Sequence, residues 1–240
     1  MTESSDQRWL SAAWPLVRGH LPPPPAPVLD VGCGPLGGFV PALRAAGYDA
    51  EGIDPEAPDD PHYRRIEFEE YAATRPVAAV VASTSLHHVA DLDAVADRIA
   101  TILTPDGVLV VLEWAWERFD EATARWCFAR LAEDEAGWLH RHRDNWIASG
   151  RSWESYLRTW AESEGLHTGA EVMRVLASRF ETQQVAAGPY LFADLDGVAP
   201  TDEQAAVDAG RIRPVGITYV GRPRVAGSAR RTGSNGLPSR

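Results

Sequence analysis

The chain has 240 residues, 45% of them apolar, which is enough for one α/β domain with a sizeable core. Its formal charge of −11 argues against a general nucleic-acid binder and against a membrane-surface protein, since both use basic patches. All 23 basic residues are Arg, so no mechanism here can rest on a catalytic lysine.

Trp9, Leu10, Trp14, Leu16 and Val17 predict an amphipathic helix over residues 5–20. Pro22 to Pro25 and Pro27 form a stiff connector that cannot continue it. A first strand is expected at 27–31, a helix at 37–46 closed by Gly47, and a second strand at 50–54. Prolines 55, 58 and 61 then force a loop, and 63–68 reads as an edge-like third strand. The apolar run 78–82 predicts a central parallel strand, followed by a helix over 91–103 capped by Asp91. Thr104-Pro105-Asp106-Gly107 is a turn into a buried strand at 108–112.

From 120 to 177 the pattern is helical, broken near Gly150 and Gly165, with Ser152 placed to cap a helix at 153–164. A strand is expected at 182–193, and Thr201-x-x-Gln204 matches a capping box that opens a short helix ending at Gly210. A last strand is expected at 215–220. Residues 224–240 are rich in Gly, Ser and Arg, and the composition predicts a disordered tail. The regular β–α alternation implies a parallel sheet covered on both faces, with ligand at the strand carboxyl ends. Cys33 and Cys127 have neither zinc spacing nor a disulfide framework. Residues 1–9 are polar and no apolar run approaches about 18 residues, so a cytoplasmic chain without a membrane span is expected.

Residues 28–38 carry the most chemistry. Val28, Leu29 and Val31 form a buried-strand run that leads directly into Gly32, Gly34, Gly37 and Gly38. Glycines at a strand-to-helix turn let the backbone approach a ligand and adopt positive φ. Asp54 ends the next strand, where a carboxylate can accept from ribose hydroxyls. A nucleoside-containing cofactor is expected. Gly32-x-Gly34-x-x-Gly37 satisfies a dinucleotide fingerprint formally, but three features oppose that choice. Asp30 stands two residues before the first glycine, where a carboxylate suits a cationic ligand end and not a pyrophosphate. A Tyr-x-x-x-Lys pair is impossible, and the chain ends in two strands around a short helix in place of a second mononucleotide half.

With these residues in view, the chain resembles the class I S-adenosylmethionine-dependent methyltransferases of the small-molecule type. The resemblance rests on Val28-Leu29-Asp30-Val31-Gly32-Cys33-Gly34, on Gly52-Ile53-Asp54, on the segment Ala82 to Val89, and on the turn Leu103 to Leu109. It departs from the family at Pro35-Leu36, one residue more than usual before Gly37. The resemblance implies a Rossmann-like, doubly wound, seven-stranded sheet, mostly parallel with an antiparallel last strand. It also implies a helical insertion between strands 5 and 6. The expected organisation is an N-terminal helix and connector at 1–26 and a methyltransferase domain at 27–223 with a Trp-rich cap at about 115–180.

It further implies S-adenosylmethionine as cofactor, held by Asp30, Gly32, Gly34, Asp54, Ser83 and Thr84. Glu67 or Glu69 would meet the adenine amino group, with Phe68 against the adenine face. His87 and His88 follow the central strand, and either could serve as general base, or both could simply pack at a helix start. Glu113, Trp114 and Trp146 are candidate substrate residues. Seven of nine tryptophans lie in 114–160, which as a group suggests a flat aromatic or lipophilic small-molecule acceptor. His140 and His142 lie on different helix faces and do not make a metal pair. Two competing readings are an NAD-dependent oxidoreductase and a non-catalytic S-adenosylmethionine-binding protein whose Trp-rich region is a partner surface.

Overall fold

The apolar runs at 79–82 and 108–112 are continuous, and Val28, Leu29 and Val31 are all buried, because both faces of each strand are covered. The computed structural model describes residues 4–132 and 137–224; beyond Arg224 the expected tail lies outside the described residues. Strands β1 (Pro27–Val31), β2 (Asp49–Ile53), β3 (Tyr63–Arg64), β4 (Val77–Ser83), β5 (Leu103–Trp114), β6 (Phe180–Gly188) and β7 (Gly216–Pro223) form one sheet. Its order is β3-β2-β1-β4-β5-β7-β6. The first five run parallel, while β7 pairs antiparallel with both β5 and β6. The chain therefore turns back between β1 and β4, and the carboxyl ends of those two strands define the switch point where an α/β sheet opens a crevice.

Alternate residues feed two cores. Val28, Ala79, Val81, Val108 and Val110 pack under α1 (Ser5–His20) and α2 (Val40–Ala45) through Val17, Phe39 and Leu43. Leu29, Val80, Ala82, Leu109 and Val111 pack under α3 (Leu92–Ile102) and a helix at Gly169–Arg179, through Val95, Ile99, Val172 and Leu176. Each fully buried aliphatic side chain of this kind contributes roughly 1.5–3 kcal/mol.

A third cluster lies above the sheet edge. It joins α4 (Glu121–Phe128), α5 (Trp138–Ser149) and α6 (Trp153–Ser163), with Trp153 and Leu139 buried within it. These three helices form the cap. The next helix, α7 (Gly169–Arg179), was grouped with it by sequence pattern but lies on the sheet beside α3, joined by Arg179 to Asp93 and Asp97. The caps at Asp91 and Ser152 form as the sequence predicts, and Gly150 and Gly165 follow α5 and α6 with positive φ.

Three segments differ from expectation. β3 is two residues long, because after Arg64 the chain turns Phe68 inward to stack on Tyr71 at 6.3 Å. β6 ends at Gly188, before Pro189, which has no N–H to extend a ladder. Helix α8 (Pro200–Asp208) starts at Pro200, and Asp202, not Gln204, accepts from the Ala199 N–H at 2.9 Å. Glu203 is fully buried in α8 and accepts from the N–H groups of Tyr190 (2.9 Å) and Phe192 (2.7 Å), which folds the post-β6 loop back over the sheet end. No helix among the described residues is long and apolar enough to cross a membrane.

Candidate active site

At the carboxyl ends of β1 and β4 opens a cleft of about 770 Å³. Its floor is the glycine turn. Gly32 and Gly34 both have positive φ (75° and 64°), which favours glycine, but for different surroundings. A Cβ on Gly32 would overlap the Ser85 side chain, so this glycine lets the β1 and β4 turns meet. A Cβ on Gly34 would meet no protein atom within 4 Å, so this position faces open space.

Asp30 sits under the turn at 1% exposure. One carboxyl oxygen accepts from the Phe39 N–H at 2.6 Å; the other is buried without a hydrogen-bond partner. Burial raises its pKa from 3.8 to about 7, the Phe39 bond opposes that, and the Asp54 charge adds to it. Asp54 itself closes a turn by accepting from the Glu56 N–H at 2.8 Å. It is half-buried at the end of β2, beside β1, where Gly32 N–H donates to the Ile53 carbonyl at 2.8 Å.

The opposite lip is the turn after β4. Ser83, Thr84, His87 and His88 all line the cleft. Thr84 adopts φ 53°, a strained conformation for a β-branched residue, and its N–H donates to Leu112 O at 2.7 Å. His87 is buried, and its Nδ1 bonds to a carboxylate oxygen of Glu113. Glu113 also accepts from the N–H groups of Leu86 (3.0 Å) and Trp114 (2.8 Å). With Nδ1 engaged, Nε2 is the His87 atom left for the cleft. His88 lies on His87 with ring centroids 4.1 Å apart; partial desolvation, then His87, holds its pKa below the ordinary imidazole value.

The remaining walls come from helices that present one face each. From α1 come Asp6, Trp9 and Leu10; from α5, Trp138, Arg141, His142 and Asn145; from α6, Tyr156, Trp160 and Glu164. These spacings of three and four residues are those of single helical faces. Trp114 is central, with Trp138 at 5.4 Å, Trp160 at 6.0 Å and Tyr190 at 6.3 Å. His142 Nδ1 bonds to the Tyr156 hydroxyl at 2.9 Å, and burial, then Arg141, lowers its pKa to about 4. The His142 ring is therefore a neutral wall group at ordinary pH.

The cleft thus gathers Asp30, Gly32, Gly34, Ser83, Thr84, His87, His88 and Trp114, with Asp54 adjoining. Three candidates do not reach it. Phe68 is buried in the core against Tyr71 and lines no part of the cleft, because its strand ends early. Glu113 stands behind His87 at 1% exposure, with its oxygens occupied by the protein's own donors, and does not line the cleft. Trp146 is on the far side of the cap, between Phe128 and Trp153, with Arg125 over its ring and its Nε1 donating to Arg151 O at 2.9 Å. Sequence reasoning missed α1 and the 190–194 loop as walls. The α1 face was visible as the pair Trp9 and Leu10; nothing in the local pattern marked Tyr190 or Asp194. Among the described residues there is no three-residue group of His, Cys, Asp or Glu that could hold a metal ion. Both cysteines are buried and free.

A family model described as "Methyltransferase domain" matches residues 7–159. Similar solved structures include an S-adenosylmethionine-dependent methyltransferase from Mesorhizobium loti, 20% identical, covering 89% of this chain and 99% of its own, with a TM-score of 0.54. The N-methyltransferase NodS from Bradyrhizobium japonicum, in complex with S-adenosylhomocysteine, is 14% identical, with 92% and 89% coverage and a TM-score of 0.51. Geranyl diphosphate C-methyltransferase from Streptomyces coelicolor is 16% identical, with 89% and 76% coverage and a TM-score of 0.51. No curated protein matches the chain.

Proposed function

This chain belongs to the methyltransferase-domain family and is an S-adenosylmethionine-dependent methyltransferase, and from that premise we propose that its acceptor is a small aromatic or lipophilic molecule. The observation that carries the proposal is the single cleft that holds the glycine turn, the β4 turn and an aromatic wall together. Its volume, about 770 Å³, is in the range of small-molecule and cofactor sites.

The residues present fit the cofactor. Asp30 has a buried carboxylate oxygen without a partner, directly below a turn whose Gly34 faces open space. An ammonium is the group that such an oxygen suits, and the amino-acid end of S-adenosylmethionine carries one. Asp54, at the end of β2, would hold the ribose hydroxyls, and Ser83 and Thr84 would line the same side. When bound, the cofactor supplies a methyl group already activated on a sulfonium, so the protein's task is mainly orientation and exclusion of water.

His87 is the general base of this proposal. Glu113 accepts from Nδ1–H, fixes the ring plane and leaves the Nε2 lone pair toward the cleft, where it can take a proton from an acceptor hydroxyl or amine. His88, the other candidate, is exposed and lies tilted against the His87 ring, which supports a packing role for it. The test is calorimetry with S-adenosylhomocysteine followed by a small-acceptor screen with labelled methyl donor. Saturable binding is expected. Absence of binding to the intact chain would end the cofactor assignment to this cleft.

A further inference from the structure

Aromatic rings alone would suit any flat, neutral acceptor, but the box around Trp114 is not lined by rings alone. Trp138, Trp160 and Tyr190 surround Trp114 at interplanar angles of 67°, 47° and 8°, so π faces and edges border the space from several directions. Trp9 from α1 closes the side beyond Tyr190, edge-on at 6.0 Å. Ring faces carry the negative end of the aromatic quadrupole and attract cations. Asp6 of α1 and Asp194 of the 192–194 turn line the same cleft.

These two carboxylates are distinct from those beneath the glycine turn. Asp194 is bonded by the Trp138 and Ser5 side chains and is raised by burial and by Asp6. Asp30 is influenced instead by Phe39 and Asp54. Tyr190 lines the cleft with them and is raised by burial and then by Glu113, Asp194 and Asp6. Two arginines lie near these carboxylates: Arg8, whose charge acts on Asp194, and Arg141 on the cleft wall. The Arg8 guanidinium donates to the carbonyls of Leu195 (3.2 Å), Phe192 (3.2 Å) and Val198 (3.0 Å). Arg141 lines the cleft from α5, where its charge acts on His142. With two carboxylates and several ring faces on the same wall, a cationic group gains partners that a neutral one does not.

We infer that the acceptor enters with a positive charge, as an ammonium or quaternary ammonium group seated among Trp114, Trp138, Trp160 and Tyr190 and paired with Asp194 and Asp6. This inference rests on the reading of the cleft as the methyl-transfer site.

The test uses benzyltrimethylammonium and its neutral isostere neopentylbenzene, titrated by tryptophan fluorescence into the full chain saturated with S-adenosylhomocysteine. The cation should bind at least about tenfold more tightly than the isostere, the size expected for a desolvated cation–π site with a carboxylate. Asp194→Asn should remove most of that preference, while its calorimetric affinity for S-adenosylhomocysteine stays within about twofold. Asp6→Asn, at an exposed position that tolerates substitution, should reduce the preference in the same direction. Equal binding of the two probes, tighter binding of neopentylbenzene, or no binding of the cation at millimolar concentration would overturn the inference with the cofactor assignment intact. Failure of S-adenosylhomocysteine to bind would remove the underlying reading, and the inference with it.

Discussion

His87 shows how a residue's role is set by what lies behind it. A histidine at the end of a central strand can be a base, a ligand or a packing group. Here the second partner supports the proposed base, because Glu113 reaches from β5 and bonds Nδ1 while also accepting two backbone N–H groups. A carboxylate accepting from three donors holds the ring in one tautomer and one plane. Glu113→Gln retains the size but replaces one acceptor oxygen with a donor, which cannot satisfy both the ring and the N–H groups of Leu86 and Trp114. The expected result is a fall in kcat of about tenfold to a hundredfold, with the acceptor KM and S-adenosylhomocysteine affinity within about twofold. A purely structural role would lower the melting temperature and leave kcat per folded molecule unchanged, so steady-state kinetics on protein titrated for active sites separates the two.

At the scale of elements, the site is assembled from faces that are far apart in the chain. β1 and β4 supply the floor and lip, and both were legible in sequence because buried parallel strands read as unbroken apolar runs and glycine turns punctuate them. The part of the cleft wall formed by these two turns was therefore readable from Asp30, Gly32, Gly34, Ser83 and Thr84. The acceptor side was not. Trp138, Trp146 and Trp160 are equivalent as letters, and only the rotation of α5 and α6 decides that the first and last line the cleft while Trp146 packs outward. Phe68 failed for the same reason: the end of β3 sets which way it turns, and only tertiary pairing sets that end. Helix α1 lines the site with Asp6, Trp9 and Leu10, and Arg8 attaches it to the 190–198 loop through bonds to the carbonyls of Leu195, Phe192 and Val198. Arg8→Ala removes all three charge-assisted bonds, at a cost of about 1–3 kcal/mol. Because α1 and that loop wall the acceptor side, the variant should raise acceptor KM severalfold and leave the affinity for S-adenosylhomocysteine nearly unchanged. Equal losses on both sides would show that α1 does not separate the two half-sites. Urea denaturation of the same variant checks the stability cost.

For the whole molecule, the proposed cofactor site and global stability share one titrating group, Asp30. Asp30 is buried in the centre of the fold, and in the folded chain its pKa is raised from 3.8 to about 7, first by burial and then by Asp54, with the Phe39 N–H opposing both. Cys33 and Tyr63, the other titratable groups acted on by Asp30, are themselves raised and stay neutral in this range. Between the two Asp30 values the unfolded chain has released a proton that the folded chain keeps. Stability contributed by this group is therefore complete below pH 3.8, falls as pH rises toward about 7, and levels off above that. The span of the shift corresponds to a penalty of order 4 kcal/mol at alkaline pH. Asp30→Asn retains an acceptor for the Phe39 N–H and cannot titrate. Relative to the native chain it should gain about 2–3 kcal/mol between about pH 5 and pH 8, read from urea unfolding in parallel at each pH. Curves that stay parallel across that range would show that Asp30 is not the coupled group. The same linkage extends to the cofactor: an ammonium placed against the unpartnered oxygen favours the ionised carboxylate, so binding near pH 6 should release a proton. Calorimetry of S-adenosylhomocysteine in buffers of different ionisation enthalpy measures that proton directly. In Asp30→Asn its release should vanish and the affinity should fall, a joint change that neither a lost packing contact nor a displaced turn would produce.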